Sequence, residues 1–146
     1  MIKVLFICHG NICRSPMAEF VMKDLVKKEG LEDQFHIESA ATSREEIGNG
    51  VYPPAKRMLA KHGISCEGKR ARQVTKDDLE KFDYLILMDR NNMSNVIRMF
   101  GVENVKKVSM LLDRDVADPW YTGNFEKTMQ DVQVGCRKLL NRIYPN

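Results

Sequence analysis

The start of the chain pairs an apolar strand with a helix, and this pairing constrains the fold more than any other feature. Residues Ile2 to Cys8 are mostly aliphatic or aromatic with little alternation, which is typical of a strand buried on both faces. After a short loop, Ser15-Pro16 predicts a helix, with the serine as its cap and the proline in its first helical position. Apolar residues then recur at helical spacing until Gly30. This order indicates a parallel sheet covered by helices.

The rest of the chain continues the alternation of strands and helices. We predict strands at Phe35–Ser39, Tyr84–Met88 and Val105–Met110, and helices at Pro53–Gly63, from Thr75 onwards, at Asn91–Phe100 and at Phe125–Tyr144. Segment 40–49 is predicted as loop, and segment 111–124 mostly so. Because no repeat or linker interrupts this pattern, we expect residues 1–146 to form a single α/β domain with three layers.

Composition narrows the possible functions. The net charge of +3 comes from scattered cationic residues and gives no support for nucleic-acid binding. The longest apolar run, Val4 to Cys8, is too short to cross a membrane, and no signal-peptide cleavage site follows it, so we expect a cytoplasmic protein. The four cysteines lack the paired spacing of a zinc site, and the chain has only three histidines, so we predict free thiols and no bound metal.

The segment from Cys8 to Ser15 joins the end of the first strand to the first helix. Open α/β sheets bind ligands at such strand ends, and the loop amides together with the helix dipole favour an anion. Gly10 lets the backbone approach a ligand closely, and Arg14 offers a planar cationic fork that matches two phosphate oxygens. The loop therefore predicts a phosphate-binding site.

Cys8 is the candidate nucleophile at this site. Positive surroundings at a helix N-terminus favour the thiolate, which is the reactive form. Ser15 could donate a hydrogen bond to the sulfur and help it leave later. The alternative is an ordinary buried thiol at a strand end, because a cysteine and an arginine six residues apart are a weak motif alone.

Four motifs, in order along almost the whole chain, resemble those of the low-molecular-weight protein tyrosine phosphatases. They are the loop Cys8 to Ser15 with Pro16-Met17-Ala18-Glu19, the segment Ser39-Ala40-Ala41-Thr42-Ser43, the pair Met88-Asp89, and Asp118-Pro119-Trp120-Tyr121. The resemblance implies a four-stranded parallel sheet with the phosphate loop after the first strand, no cofactor, and hydrolysis of phosphotyrosine in proteins and peptides. It also implies a phosphocysteine intermediate on Cys8, with Arg14 binding the phosphate.

The resemblance also assigns roles to the later part of the chain. It implies that Asp118 protonates the leaving group and then activates water, whereas the residues alone leave Asp113 and Asp115 open as candidates. It places Trp120 and Tyr121 in the wall of the substrate crevice, although an exposed aromatic pair could instead pack the loop down.

Other motif residues resemble supports of the phosphate loop. Asparagine tolerates the left-handed backbone of a tight loop, so Asn11 suits a supporting role together with Ser39, although either could be a turn residue. Asp89 resembles an acid that orients Arg14, or it simply stands at a helix start. The other predicted loop residues are His9, Gly10, Ile12, Cys13 and Ser15.

Two positions depart from the family pattern. Glu45 stands where many relatives carry an aromatic crevice residue, which puts stacking there in doubt and suggests a changed peptide preference. Some relatives support the loop with a histidine, for which this chain offers Lys69 or Arg70. The resemblance further implies that oxidation joins Cys13 to Cys8; the alternative is that Cys13 is a packing thiol.

Three other functions are compatible with parts of the pattern. An arsenate reductase needs resolving cysteines, but residues 69–100 contain none, and Cys66 and Cys136 are interpreted as packing residues. A protein-arginine phosphatase resembles this chain but carries threonine in place of Ile12, whose apolar side chain suits an aromatic ring. A non-catalytic phosphopeptide-binding module is disfavoured because Cys8, Arg14 and Asp118 are all present. We expect a monomer that acts on phosphotyrosine.

Overall fold

The computed structural model describes residues 1–145, so only the last position of the predicted domain lies outside it. Its centre is one four-stranded sheet in the order β2-β1-β3-β4, in which every neighbouring pair is parallel. The predicted four-stranded parallel sheet is therefore confirmed. The strands are β1 (Ile2–Cys8), β2 (Phe35–Ala41), β3 (Tyr84–Leu87) and β4 (Val108–Met110).

Helices cover both faces of this sheet. They are α1 (Arg14–Lys28), α2 (Pro53–Lys61), α3 (Lys76–Lys81), α4 (Arg90–Phe100), α5 (Pro119–Thr122) and α6 (Phe125–Ile143). Alternate residues of β1 face opposite sides: Val4 and Phe6 pack with α1, α2 and α6, whereas Leu5 and Ile7 pack with α3 and α4. Because both faces of β1 are buried, the strand needs the nearly unbroken apolar sequence that it has.

The start of α1 differs from the prediction. Its N-cap is Cys13, and the Ser15 hydroxyl does not cap the helix because it faces Cys8 and Asn11 instead. Pro16 is the third helical residue rather than the first, where the missing N–H still costs no hydrogen bond. The prediction of Ser15 as the cap was wrong because the hydroxyl serves a contact that lies across the loop.

Helix α6 closes the domain next to the last strand. Its buried residues recur every three or four positions, which places them on one face against α1 and α2. At Gly135 the helix approaches Leu111 so closely that a Cβ would clash with the leucine side chain. None of the helices in the described part of the chain is long and apolar enough to cross a membrane.

Candidate active site

The loop between β1 and α1 curls around the sulfur of Cys8. Asn11 adopts a left-handed conformation with a φ of 59°, and its backbone N–H donates to Cys8 Sγ at 3.3 Å. Ser15 Oγ lies 3.0 Å from the same sulfur, at the start of α1. A backbone amide, a hydroxyl and the N-terminal end of α1 thus converge on one sulfur.

The side chain of Asn11 connects the loop to the sheet. Its Nδ2 donates to Ser15 Oγ at 2.8 Å and to Ser39 Oγ at 2.9 Å, and its Oδ1 accepts from the backbone N–H of Arg72 at 3.2 Å. Asn11, Ser15 and Ser39 are all at least 99% buried. The structure thus brings the two predicted supports, Asn11 and Ser39, together beneath the loop.

Glu19 extends this network and was not predicted as a site residue. The Ser39 hydroxyl donates to Glu19 Oε1 at 2.6 Å. Lys23 and Lys69 form ion pairs with the Glu19 carboxylate at 2.6 and 3.3 Å. The sequence did carry a signal for Glu19, which is an acid between the apolar residues of an amphipathic helix. A carboxylate that is buried in this way requires partners.

Lys69, one of the two candidates for the missing histidine, lies in this network. Its Nζ donates to the backbone oxygen of Ser39 at 2.8 Å. Burial lowers the pKa of Lys69, and the neighbouring Glu19 carboxylate partly opposes this. Arg70 is exposed and its backbone pairs with Gly50, so the structure separates it from the network.

Arg14 connects the phosphate loop to the other half of the site. Its Nη1 donates to Asp89 Oδ2 at 2.6 Å and to the backbone oxygen of Val116 at 2.9 Å, and its Nη2 donates to Asp118 Oδ2 at 3.3 Å. Burial opposes the charge, but the nearby Cys8 sulfur and the two carboxylates raise the pKa of Arg14. A permanently charged fork is therefore fixed next to the sulfur.

Asp89 serves both roles that the sequence left open. Its Oδ1 accepts from the backbone N–H of Asn92 at 2.7 Å and caps α4, while its Oδ2 binds Arg14. One carboxylate thus begins a helix and orients the arginine.

Asp118 reaches the phosphate loop from the far end of the chain. It caps α5, with Oδ1 accepting from the backbone N–H of Trp120 at 3.0 Å. Of the three candidate acids, Asp118 lines the pocket above Cys8, whereas Asp115 accepts from the backbone N–H of Arg90 at 3.0 Å and Asp113 is exposed beside a different cavity. Helix α5 occupies part of the segment that we predicted as loop.

These groups surround one pocket of about 130 Å³. Trp120 packs on Tyr52 with ring centroids 4.8 Å apart, and Tyr121 is 83% exposed at the rim. Opposite them, Glu45 Oε2 lies 3.2 Å from His9 Nε2. The pocket is lined by Cys8, His9, Gly10, Ile12, Cys13, Arg14, Glu45, Glu46, Asp118, Trp120 and Tyr121, of which Glu46 alone was not predicted.

Cys13 lies in the wall of the pocket but differs from Cys8 in its surroundings. It is 95% buried, and this burial, reinforced by the neighbouring Cys8 sulfur and by Asp118, raises the pKa of Cys13 to about 12. All four cysteines are unpaired thiols. Within the described residues, no group of His, Cys, Asp or Glu side chains could hold a metal ion.

Comparison with known proteins gives consistent results. The family model described as "Low molecular weight phosphotyrosine protein phosphatase" matches residues 3–146. The chain is 45% identical to the low-molecular-weight protein-tyrosine-phosphatase YfkJ of Bacillus subtilis over 98% of this chain and 96% of that protein. The crystal structure of YfkJ superimposes with a TM-score of 0.95 over 98% of this chain and 94% of that one.

Proteins of other organisms are also similar to this chain. A mouse low-molecular-weight phosphotyrosine protein phosphatase is 39% identical over 97% of this chain and 95% of that protein. The crystal structure of SP-PTP, a low-molecular-weight protein tyrosine phosphatase from Streptococcus pyogenes, is 41% identical and gives a TM-score of 0.94 over 100% of this chain and 95% of that one.

Proposed function

Because the chain belongs to the low-molecular-weight phosphotyrosine protein phosphatase family, and is therefore a phosphatase, we propose that it hydrolyses protein phosphotyrosine through a phosphocysteine on Cys8. The convergence of Cys8, Arg14 and Asp118 on one pocket carries this proposal. The nucleophile and the phosphate ligand lie in one loop, whereas the proton donor comes from a segment about a hundred residues further along the chain, so only the folded chain brings the three together.

The first step transfers the phosphoryl group to sulfur. The loop amides and the Arg14 fork bind the phosphate oxygens, and the Cys8 thiolate attacks phosphorus in line with the tyrosine oxygen. As the phosphorus–oxygen bond breaks, Asp118 donates its proton to the departing phenolate. General acid help of this kind is typically worth about 10²–10⁴-fold in rate.

The second step hydrolyses the phosphocysteine. The Asp118 carboxylate, left without its proton, accepts one from a water that attacks phosphorus, and inorganic phosphate forms. Ser15 Oγ, 3.0 Å from Cys8 Sγ, donates to the departing thiolate. The supporting network through Asn11 and Ser39 holds the loop in shape through both steps.

The crevice suits a flat aromatic group. Ile12 presents an apolar wall inside the pocket, and Trp120 and Tyr121 line its rim. We propose that Glu45 changes the peptide preference, because it places a carboxylate where an aromatic ring would stack. A Glu45→Tyr variant assayed on a panel of phosphotyrosine peptides is expected to re-rank them while leaving turnover of a small aryl phosphate within about twofold.

Ile12 also favours phosphotyrosine over phosphoarginine. A guanidinium leaving group carries polar N–H groups that an isoleucine side chain cannot satisfy. We expect a phosphotyrosine peptide to be hydrolysed much faster than a matched phosphoarginine peptide, and Ile12→Thr to narrow the difference. Arsenate reduction is disfavoured, since Cys66 and Cys136 are buried in the core.

Turnover of p-nitrophenyl phosphate tests the whole proposal. We expect Cys8→Ser to abolish it, and Cys66→Ala, a change at a buried cysteine outside the pocket, to retain it. Rapid quenching followed by mass spectrometry should trap a phosphorylated form of the native chain at Cys8. Unchanged turnover in Cys8→Ser would contradict the mechanism.

We further propose that oxidation links Cys8 to Cys13. A Cys8 sulfenic acid would condense with the Cys13 thiol to a disulfide and release water, which protects the nucleophile from irreversible oxidation. The Cys13 thiol lines the same pocket as Cys8, in support of this pairing. Irreversible loss of activity under peroxide should be faster in Cys13→Ser; an identical rate would identify Cys13 as a packing residue.

We also propose that residues 1–146 act as one domain in the cytoplasm, as a monomer and without a cofactor. The four unpaired thiols suit a reducing compartment. Sedimentation of the purified protein would test the monomer, and a full-length activity assay in the presence of chelators would test independence from metals.

A further inference from the structure

The segment that carries Asp118 contains neither helix nor strand. We call residues 111–118 the acid segment; it runs from the end of β4 to the start of α5. Two backbone contacts hold it to the sheet: Leu111 N–H donates to Leu87 O at 2.9 Å, and Val116 N–H donates to Met88 O at 2.8 Å. Between these two points, residues 112–115 leave the sheet, and Asp115 Oδ1 accepts from the backbone N–H of Arg90 at the start of α4.

Arg114 supplies a further anchor, which joins the segment to α6. Its Nη2 donates to Asp131 Oδ1 at 2.8 Å and its Nη1 donates to Asp131 Oδ2 at 3.2 Å, which is a two-point contact with α6. The same Nη1 donates to the backbone oxygen of Asp115 at 3.1 Å. One guanidinium therefore joins the backbone of the acid segment to a helix, with the planar geometry that favours arginine over lysine.

Asp131 is a buried anchor. Its side chain is 5% exposed, and Lys127, one turn earlier on α6, lies 3.2 Å from its Oδ1. Burial opposes ionisation, but the hydrogen bonds from Arg114 and Lys127 outweigh it and hold the pKa of Asp131 below its usual value. The carboxylate is thus charged at neutral pH, with a cation on each side of the contact.

The position of helix α6 is also fixed relative to the phosphate loop, through helix α1. It packs along α1, where Cys136 Sγ lies 3.6 Å from the backbone oxygen of Ala18. Helix α1 begins at Arg14, within the site. A contact between the acid segment and α6 therefore sets the position of the segment relative to the sulfur of Cys8.

We propose that Arg114 is a positioning residue for proton transfer, because its fork on Asp131 fixes the segment that presents Asp118 to the leaving group. This inference rests on the proposed role of Asp118 as the acid. Arg114 does not line the pocket, so its effect passes through the three residues of chain between it and Asp118. The simpler alternative is a half-exposed ion pair that contributes only to folding stability.

The dependence of rate on the leaving group separates these two possibilities. Phenyl phosphate releases a phenol as basic as tyrosine, which needs the acid, whereas p-nitrophenyl phosphate releases a stable anion that hardly does. We expect Arg114→Ala to lower kcat/KM about tenfold for phenyl phosphate and less than about threefold for p-nitrophenyl phosphate. A loss of folded protein would lower both values equally, so the ratio of the two is the readout.

Lys127→Ala is the matched control. It removes the other cation from the same Asp131 carboxylate but leaves the acid segment untouched. We expect it to lower the midpoint of thermal unfolding as Arg114→Ala does, with no change in the substrate ratio. Arg114→Lys, which keeps the charge but not the fork, should give an intermediate ratio.

Asp118→Asn and the double variant complete the test. Asp118→Asn should lower the phenyl phosphate rate far more than the p-nitrophenyl phosphate rate, and adding Arg114→Ala should cause little further loss. Suppose that Asp118→Asn shows this difference but Arg114→Ala lowers kcat/KM equally for both substrates. The positioning role of Arg114 is then overturned, while the assignment of Asp118 as the acid is retained. If Asp118→Asn itself shows no difference between substrates, the acid assignment falls and the positioning role falls with it.

Discussion

The phosphate loop and the acid segment meet at Arg14, but different kinds of contact hold them in place. Residues 8–15 are fixed largely from within, by a left-handed Asn11 and by its buried hydrogen bonds to Ser15 and to Ser39 on the adjacent strand β2. Residues 111–118 are fixed from outside, by Arg14 bound to the backbone oxygen of Val116 and by Asp131 of α6 bound to Arg114. The difference teaches that local contacts hold the loop around Cys8, whereas the position of Asp118 depends on side chains that are distant along the chain.

Arg14 belongs to both regions, so changing it should have the largest effect. Arg14→Lys keeps one positive charge but cannot contact Asp89, Val116 and a phosphate at the same time. We expect kcat/KM for p-nitrophenyl phosphate to fall about 10²–10³-fold. Arg44→Lys, at an exposed arginine near the rim, is the control and should stay close to the native value; native activity in Arg14→Lys would show that charge alone suffices.

Asn11 tests whether the loop is held from within. Asn11→Ala loses buried hydrogen bonds and also places a Cβ residue at a φ of 59°, whereas Asn11→Gly loses only the hydrogen bonds. We expect the alanine variant to be less stable than the glycine variant by about 1–2 kcal/mol in urea unfolding. Both should lose about tenfold in kcat/KM, since the amide facing Cys8 is displaced in either. Equal stability would mean that the left-handed backbone carries no strain.

Lys69 tests how far the support of the loop extends. Lys69→Met removes one cation from the buried Glu19 and the donor to Ser39 O. We expect a loss of about 1–3 kcal/mol of stability and a few-fold fall in kcat/KM, because Lys23 still pairs with Glu19. Arg70→Met changes an exposed neighbour and should do neither. If Lys69→Met changed neither stability nor kcat/KM, the network that supports the loop would extend no further than Ser39.

Acid titration of stability tests the contact between Arg114 and Asp131, and its expected effect is the smallest of the four. Since the folded-state pKa of Asp131 lies below its usual value of 3.8, the stability it contributes is complete above that value and is lost as the pH falls through the folded pKa. We therefore expect the free energy of unfolding of the native chain to fall more steeply below about pH 4 than that of Asp131→Asn. Parallel curves would show that Asp131 titrates alike in the folded and unfolded chain.

The same contrast explains how much the sequence could predict. The local geometry of the loop between β1 and α1 was the most predictable part, since Cys8, Gly10, Asn11 and Arg14 lie within a few positions and their constraints are local; its role in binding phosphate stays a prediction. The order of strands and helices was also predictable from apolar spacing. The exception was Ser15, whose hydroxyl could satisfy either the helix or the sulfur, and local sequence does not decide between them.

Residues far apart in the chain were harder to predict. Lys69 reaches the backbone oxygen of Ser39, whereas the backbone of its neighbour Arg70 pairs with Gly50. The sequence does not indicate which of these two adjacent side chains joins the supporting network. Glu19 gave a signal as an acid among apolar residues, but nothing in the sequence names Ser39 as its partner. Asp131 on α6 gave no signal at all, because an acid in a long helix is usually solvated and its burial arises from packing.

The close approach of Gly135 to Leu111 limits which amino acids position 135 can accept. Leu111 is the first residue of the acid segment, and its side chain occupies the space that any larger residue at position 135 would fill. Even alanine there must push the leucine, and the chain that follows it, away from the helix. In a library that varies every position and is selected for activity, residue 135 should thus tolerate as few replacements as the pocket itself, although it takes no part in the chemistry.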